Sequence, residues 1–275
     1  MRCILRWTIV LSWLLTSRET SFAVDQIPKS GPQLGIQTWT LRTLNFNQAL
    51  EFAATHGISN LTLSVHFDPQ APREELLRKK AALAARGLHA YTFGVANTSL
   101  NRDQNRRLFE SAKLMEMKLI VVEPPDFKIF DQLEELVREF DIHVAVHNHG
   151  IRSLYGNPAV LKNLLQHRDP RLGVCLDTGW VTAAGFDVAK VFKDYDGRVF
   201  DVHLKDKTVT AALGEDVATD TFIGTGNANL KGLFAEMKRS NWKGVLSLET
   251  DSPIYAQNPA EFVSKAKTFF HENLP

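Results

Sequence analysis

Eight short, β-branched apolar stretches, each followed by an amphipathic stretch, recur along this chain at nearly even spacing, and this alternation restricts the fold more than any other feature. The strand candidates cover residues 33–38, 60–65, 88–94, 118–123, 142–147, 172–177, 199–205 and 244–249. The helix candidates, with apolar side chains at helical spacing, cover 47–56, 73–85, 103–115, 130–140, 158–167, 188–195, 230–240 and 259–272. A strand followed by a helix, repeated eight times, predicts a single-domain α/β fold, the (β/α)8 TIM barrel, over residues 33–275. The one long interval between strands lies at 206–229. An open doubly wound sheet would need a glycine-rich phosphate turn after its first strand. The chain has Gln37-Thr38-Trp39-Thr40-Leu41 there instead, and Gly224-Thr225-Gly226 follows no strand closely, so it reads as a plain turn.

The segment ahead of the alternation has a different character. Arg2 and Arg6 accompany an uncharged, mostly apolar run at 7–17, and Ser21-Phe22-Ala23 offers small residues at a cleavage site. This layout predicts a signal peptide over 1–23, cut after Ala23, and a secreted or periplasmic protein. The run is shorter than the roughly 20 residues that span a bilayer, so no stable membrane insertion is expected after cleavage. Residues 24–32, with Pro28, Gly31 and Pro32, read as a tether. Cleavage would remove Cys3 and leave Cys175 as the remaining thiol, which excludes an internal disulfide and a four-cysteine zinc site. With 32 basic against 31 acidic side chains and no blocks of like charge, nucleic acid is not an expected partner.

In a barrel of this type the chemistry lies where strands end and loops begin. The fifth stretch ends His147-Asn148-His149-Gly150 and the sixth ends Cys175-Leu176-Asp177-Thr178-Gly179. The seventh carries His203-Leu204-Lys205-Asp206, and the eighth ends Leu248-Glu249-Thr250-Asp251. His147, Asp177, His203 and Glu249 could thus converge on one divalent ion. Their mixed nitrogen and oxygen donors suit Zn, Mn, Co or Fe better than Mg. Around them stand Glu123, a base, ligand or loop contact, and His149, a proton donor or a partner to a ligand. Lys205 is placed to steady a developing enolate oxygen, Asp206 to hold Lys205 or orient an imidazole, and Trp39 to stack on a sugar face. His56, His66, His89, His143, His167 and His271 have no comparable placement.

These strand-end motifs, His-Asn-His-Gly, Leu-Asp-Thr-Gly, Val-His-Leu-Lys-Asp and Ser-Leu-Glu, resemble those of the xylose isomerase-like TIM barrels, the sugar phosphate isomerase/epimerase superfamily, over roughly residues 33–272. The resemblance implies that Asp177, His203 and Glu249 are metal ligands. His147 stands where many members carry a fourth, glutamate ligand, and Trp180 where many carry a histidine. Trp180 therefore offers a flat face to a sugar ring. The implied function is a metal-dependent isomerase or epimerase acting on a non-phosphorylated sugar or keto-sugar. Glu249 would abstract the proton α to a carbonyl and the ion would stabilise the enediolate. The alternatives are a β-eliminating lyase or dehydratase on keto-sugars or 3-keto-glycosides, and a non-catalytic sugar-binding barrel. Replacement of one glutamate by His147 favours isomerisation or elimination over two-base epimerisation. Nothing in the sequence sets the oligomeric state.

Overall fold

The computed structural model describes residues 31–195, 197–210 and 218–274. The expected signal peptide, and the tether apart from Gly31 and Pro32, lie outside these residues. The apolar stretches form eight strands that pair side by side in parallel. They are β1 (Gln33–Gln37), β2 (Asn60–Leu63), β3 (His89–Phe93), β4 (Leu119–Val122), β5 (His143–His147), β6 (Leu172–Asp177), β7 (Val199–Leu204) and, after a hairpin, β10 (Val245–Leu248). Their order is β3-β2-β1-β10-β7-β6-β5-β4. The remaining seam, between β3 and β4, is bridged by the Ala96 amide donating to the Val121 carbonyl at 2.9 Å and the Thr92 hydroxyl donating to the Leu119 carbonyl at 2.9 Å. Gly94, at φ 150°, makes this approach possible, because a Cβ there would collide with the Val121 carbonyl. The result is the expected TIM barrel, nearly closed.

The helices pack around it: α1 (Phe46–Thr55), α2 (Arg73–Ala84), α3 (Arg102–Leu114), α4 (Ile129–Phe140), α5 (Pro158–Leu165), α6 (Thr178–Ala183), α7 (Val188–Asp194), α8 (Leu230–Arg239), α9 (Pro253–Gln257) and α10 (Pro259–Asn273). Their apolar stripes and the outward faces of the strands form the main core. The barrel interior is a smaller cluster of Tyr91, Leu119, Val121, Ala145, Cys175 and Val245. Side chains alternate along a strand, so the inward rows run Ala145 to His147, Cys175 to Asp177, Asp201 to His203, and Ser247 to Glu249. The site is therefore the upper layer of the barrel's own filling.

Two local features add to the expected pattern. The helix read at 188–195 is preceded by a separate one, α6, which begins directly at the end of β6. The long interval 206–229 holds β8 (Asp206–Val209) and β9 (Ala218–Thr221), which form an antiparallel hairpin outside the barrel. Among the described residues, no helix is long and apolar enough to cross a membrane.

Candidate metal centre at the barrel mouth

Parallel pairing sets the depth of each candidate ligand. Asp177 is in register with His203, His147 with Cys175, and Ser247 with His203, so Glu249, just beyond β10, rises beside Lys205. Asp177 splits its two oxygens. Oδ1 caps α6 by accepting the Trp180 amide at 2.8 Å, which leaves Oδ2 facing the barrel axis, 3.6 Å from Nε2 of His147. Nδ1 of His203 lies 2.6 Å from Oε2 of Glu249. One donor atom from each of His147, Asp177, His203 and Glu249 falls within 4.8 Å of the other three.

All four side chains are buried, yet their inward atoms are not satisfied by hydrogen bonds. Both ring nitrogens of His147 and of His203, Oδ2 of Asp177 and Oε2 of Glu249 have no hydrogen-bond partner. The His203–Glu249 contact is instead an ion pair in which Glu249 raises the imidazole against its desolvation. Orphaned buried polar atoms cost about 1–3 kcal/mol each, so a cluster of them calls for a shared occupant. The charges agree. Lys205 and Lys207 are buried among the carboxylates of Asp177, Glu249, Asp251 and Asp220, leaving two negative charges uncompensated. A divalent cation held by nitrogen and oxygen donors fits both features.

Protonation states follow from the same packing. Burial alone would raise the Asp177 carboxyl, but Lys205 and then His147 hold it well below the usual range. Glu249 is likewise driven down by Lys205 and His203 against its desolvation. Burial lowers His147 and favours the neutral ring a metal requires. Lys205, despite full burial, is pushed up by Asp177, Glu249 and Asp251, with its Nζ 3.1, 3.4 and 2.9 Å from their oxygens. It is a fixed cation and not a base. Gly179 makes room for it, since a Cβ there would sit 2.7 Å from Lys205 Cγ.

The other residues expected at the mouth divide. His149 lies beyond the end of β5 but still at the mouth, its ring 4.6 Å from that of His147, and it is paired with Glu123. Desolvation opposes its protonation, but Glu123 outweighs this and raises it. Glu123 is thus the partner of His149. Trp180 faces the site, with the Lys207 ammonium 4.2 Å and the Lys205 ammonium 5.5 Å from its ring centre. Trp39 stands in a 3-10 turn after β1 and donates its indole N–H to Asp251 at 3.1 Å. Asp206 is a correction. Its oxygens are not hydrogen-bonded to Lys205 or to an imidazole but accept the amides of Gly224 at 3.0 Å, Gly226 at 2.9 Å and Ala228 at 3.1 Å. It pins the Gly224-Thr225-Gly226 turn.

Four further residues were not anticipated. Lys207 and Asp220 pair at 2.5 Å across the hairpin and bring it over the mouth. Asp251 braces Lys205 and Trp39. Beneath the mouth, Asp201 accepts from the Tyr91 hydroxyl at 2.7 Å and lies 3.6 Å from Nε2 of His203. Its position two residues before His203 was the signal that it faces inward.

The family described as xylose isomerase-like TIM barrel matches residues 39–270. The chain belongs to this family. Among curated relatives of this xylose isomerase-like barrel, the inosose dehydratase of Clostridium tetani is 27% identical over 157 residues, 53% of this chain and 52% of that one. The chain therefore spans about half the length of the curated relatives it matches. Among solved structures, a xylose isomerase domain protein from Planctomyces limnophilus superposes with a TM-score of 0.72 at 13% identity, covering 88% of this chain and 97% of that one. The IolI protein, solved with a zinc atom, superposes at 0.67 with 16% identity, covering 88% and 98%. Both structures bear on the fold alone.

Proposed function

We propose that this barrel is a divalent-metal-dependent enzyme that removes the proton α to a carbonyl of a non-phosphorylated keto-sugar or keto-cyclitol and then expels a β-oxygen substituent. The observation that carries this reading is the set of four buried, unsatisfied donors around two uncompensated negative charges. His147, Asp177, His203 and Glu249 would hold the ion. A bound Zn, Mn, Co or Fe ion would act there as a Lewis acid on the substrate's carbonyl oxygen. The dehydratase relatives support the same choice.

The chain's own groups supply the proton chemistry. Glu249, kept ionised by Lys205 and His203, accepts the α-proton on a carboxylate oxygen. Lys205, fixed by three carboxylates, offers its ammonium to the oxygen on which charge develops. His149 lines the same cavity as Glu249 and, held protonated by Glu123, donates to the departing oxygen. As the C–H bond gives its electrons to a new C=C bond, the β-carbon–oxygen bond breaks, and the leaving oxygen departs as water or an alcohol. Trp180 presents a flat face to the ring. Export after cleavage at Ala23 belongs to the same proposal, supported by Arg2, Arg6 and the apolar run between Trp7 and Ser17.

Isomerisation or epimerisation is the second reading. It shares the first step and differs in returning the proton to carbon, a task for which the Glu123–His149 pair is also suitably placed. Incubating the zinc- or manganese-loaded protein with inosose and with ketoses in D₂O, followed by NMR, divides the two. Appearance of a conjugated enone is expected. Deuterium incorporation without loss of the β-substituent would select isomerisation, and neither result on any substrate would overturn the enzyme reading.

A further inference from the structure

The interior of the barrel just below the metal centre holds a carboxylate that the proposed chemistry does not use. Asp201 points inward from β7 and is fully buried, in a layer it shares with the apolar side chains of Leu119, Val121, Ala145 and Val245. A carboxylate in such surroundings is costly unless it is hydrogen-bonded and faces a cation or a polarised N–H. Lys205 and Lys207, which neutralise the carboxylates of the mouth, pair with Asp177, Glu249, Asp251 and Asp220 and not with Asp201. Oδ1 of Asp201 accepts the Tyr91 hydroxyl at 2.7 Å, and the Thr62 and Ser247 hydroxyls lie 2.8 Å from that phenolic oxygen and 2.7 Å from each other. Hydroxyls from β2, β3 and β10 thus fix one oxygen of the carboxylate. The other, Oδ2, lies 3.5 Å from the Cys175 thiol and 3.6 Å from Nε2 of His203.

The two nitrogens of His203 therefore face two different carboxylates. Nδ1 is 2.6 Å from Oε2 of Glu249, within the ligand set, and Nε2 is directed down towards Asp201. A neutral imidazole carries one proton, and a ligand nitrogen must be free of it. A proton on Nδ1 would close the cation site and set the Nε2 lone pair against the oxygens of Asp201. A proton on Nε2 opens the site and gives Asp201 a donor. We propose that Asp201 is a positioning residue of the metal centre: held by Tyr91, Thr62 and Ser247, it accepts the Nε2 proton of His203 and so fixes the orientation of the ring and the tautomer whose Nδ1 lone pair faces the ion. This rests on the metal-centre reading above. The 3.6 Å separation is a little beyond a hydrogen bond, and a small rotation of the ring closes it. A carboxylate on the far nitrogen of a ligand histidine also raises that ligand's basicity, and its removal costs on the order of 10–100-fold in metal affinity.

The tautomer can be read directly by NMR. In the zinc-loaded full chain carrying nitrogen-15-labelled histidine, the His203 ring, identified by the signals lost in His203→Asn, should hold its proton on Nε2 and bind zinc through Nδ1. The reverse tautomer would overturn the proposal. Zinc calorimetry supplies the second measurement. Asp201→Asn should bind zinc at least about tenfold more weakly than the wild type, and Tyr91→Phe, which keeps Asp201 but frees its Oδ1, should fall between the two. Val121→Ala, which removes only apolar packing from the same interior layer, should lower Tm and leave zinc affinity unchanged. Unchanged affinity in Asp201→Asn, or an equal loss in Val121→Ala, would overturn the role of Asp201 while leaving the four-ligand centre standing. Failure of the wild type to bind zinc would remove the centre and the role of Asp201 with it.

Discussion

The two ends of the barrel carry charged groups and treat them differently. At the amino ends of the strands, Asp169 accepts from Arg171 and Arg138 at 2.9 Å each, its own amide donates to Glu134, and Arg198 donates to the carbonyls of Asp169 and Leu172. At the carboxyl ends, His147, His203, Asp177 and Glu249 are more deeply buried and leave six nitrogen and oxygen atoms without hydrogen bonds. Satisfied networks hold a fold together, whereas unsatisfied ones persist where something else is to be bound. Single unsatisfied atoms also occur at the amino end, at His143 Nε2 and Arg86 Nε, but the carboxyl end gathers six of them in one cluster, and that convergence marks it as the functional end.

Substitutions at the two ends should separate along this line. Asp177→Asn keeps the side-chain oxygen that caps α6 but removes the charge facing the axis. Turnover should fall more than about 1,000-fold while the circular dichroism spectrum stays native, and comparable turnover would remove Asp177 from the centre. Lys205→Met should lower kcat by about 100-fold, the scale of losing one preorganised donor. It should leave metal affinity equal or tighter, because a competing cation is gone, and weaker metal binding would contradict the role given to Lys205. His149→Gln should cost about 10-fold or more in elimination yet retain deuterium exchange at the α-carbon, since Glu249 is intact. Loss of both together would make His149 part of the first step.

The smallest effect is expected at the amino end. Arg171 above all, with Arg138, holds the Asp169 carboxyl down to about 2, from an ordinary value of 3.8. A depressed folded-state value means that the contribution to stability is present above about pH 4 and is lost as pH falls towards 2. Asp169→Asn should therefore cost about 1–2 kcal/mol near neutrality, lower Tm by a few degrees and leave turnover unchanged. The gap from wild type should narrow in acid. A gap that widened on acidification would contradict the assignment.

The fold was legible because both periodicities were clean: alternation placed the strands, helical spacing placed the outer layer, and their even recurrence required a closed barrel. The four ligand candidates were legible for the same reason, since a strand's last inward residue is fixed by counting. What was missed depended on contacts distant in sequence. Lys207 and Asp220 meet only because 206–209 pairs antiparallel with 218–221, and nothing local in either segment announces that pairing. Asp206 was misassigned because an acid beside Lys205 invites a local ion pair, whereas three backbone amides from 224–228 claim its oxygens. α6 escaped notice because its cap is Asp177 itself, a residue already read as a ligand. Asp201 was overlooked because a lone acid within a strand looks like a surface residue until the barrel closes around it.

The central claim is that four unsatisfied strand-end donors form one cation site. Titrating zinc or manganese calorimetrically into the chelator-treated full chain tests it most directly, with Glu249→Gln as the control. One equivalent per chain, bound at micromolar affinity or tighter and weakened at least 100-fold by Glu249→Gln, is the predicted result. Absence of binding, or binding that Glu249→Gln leaves unchanged, would contradict it.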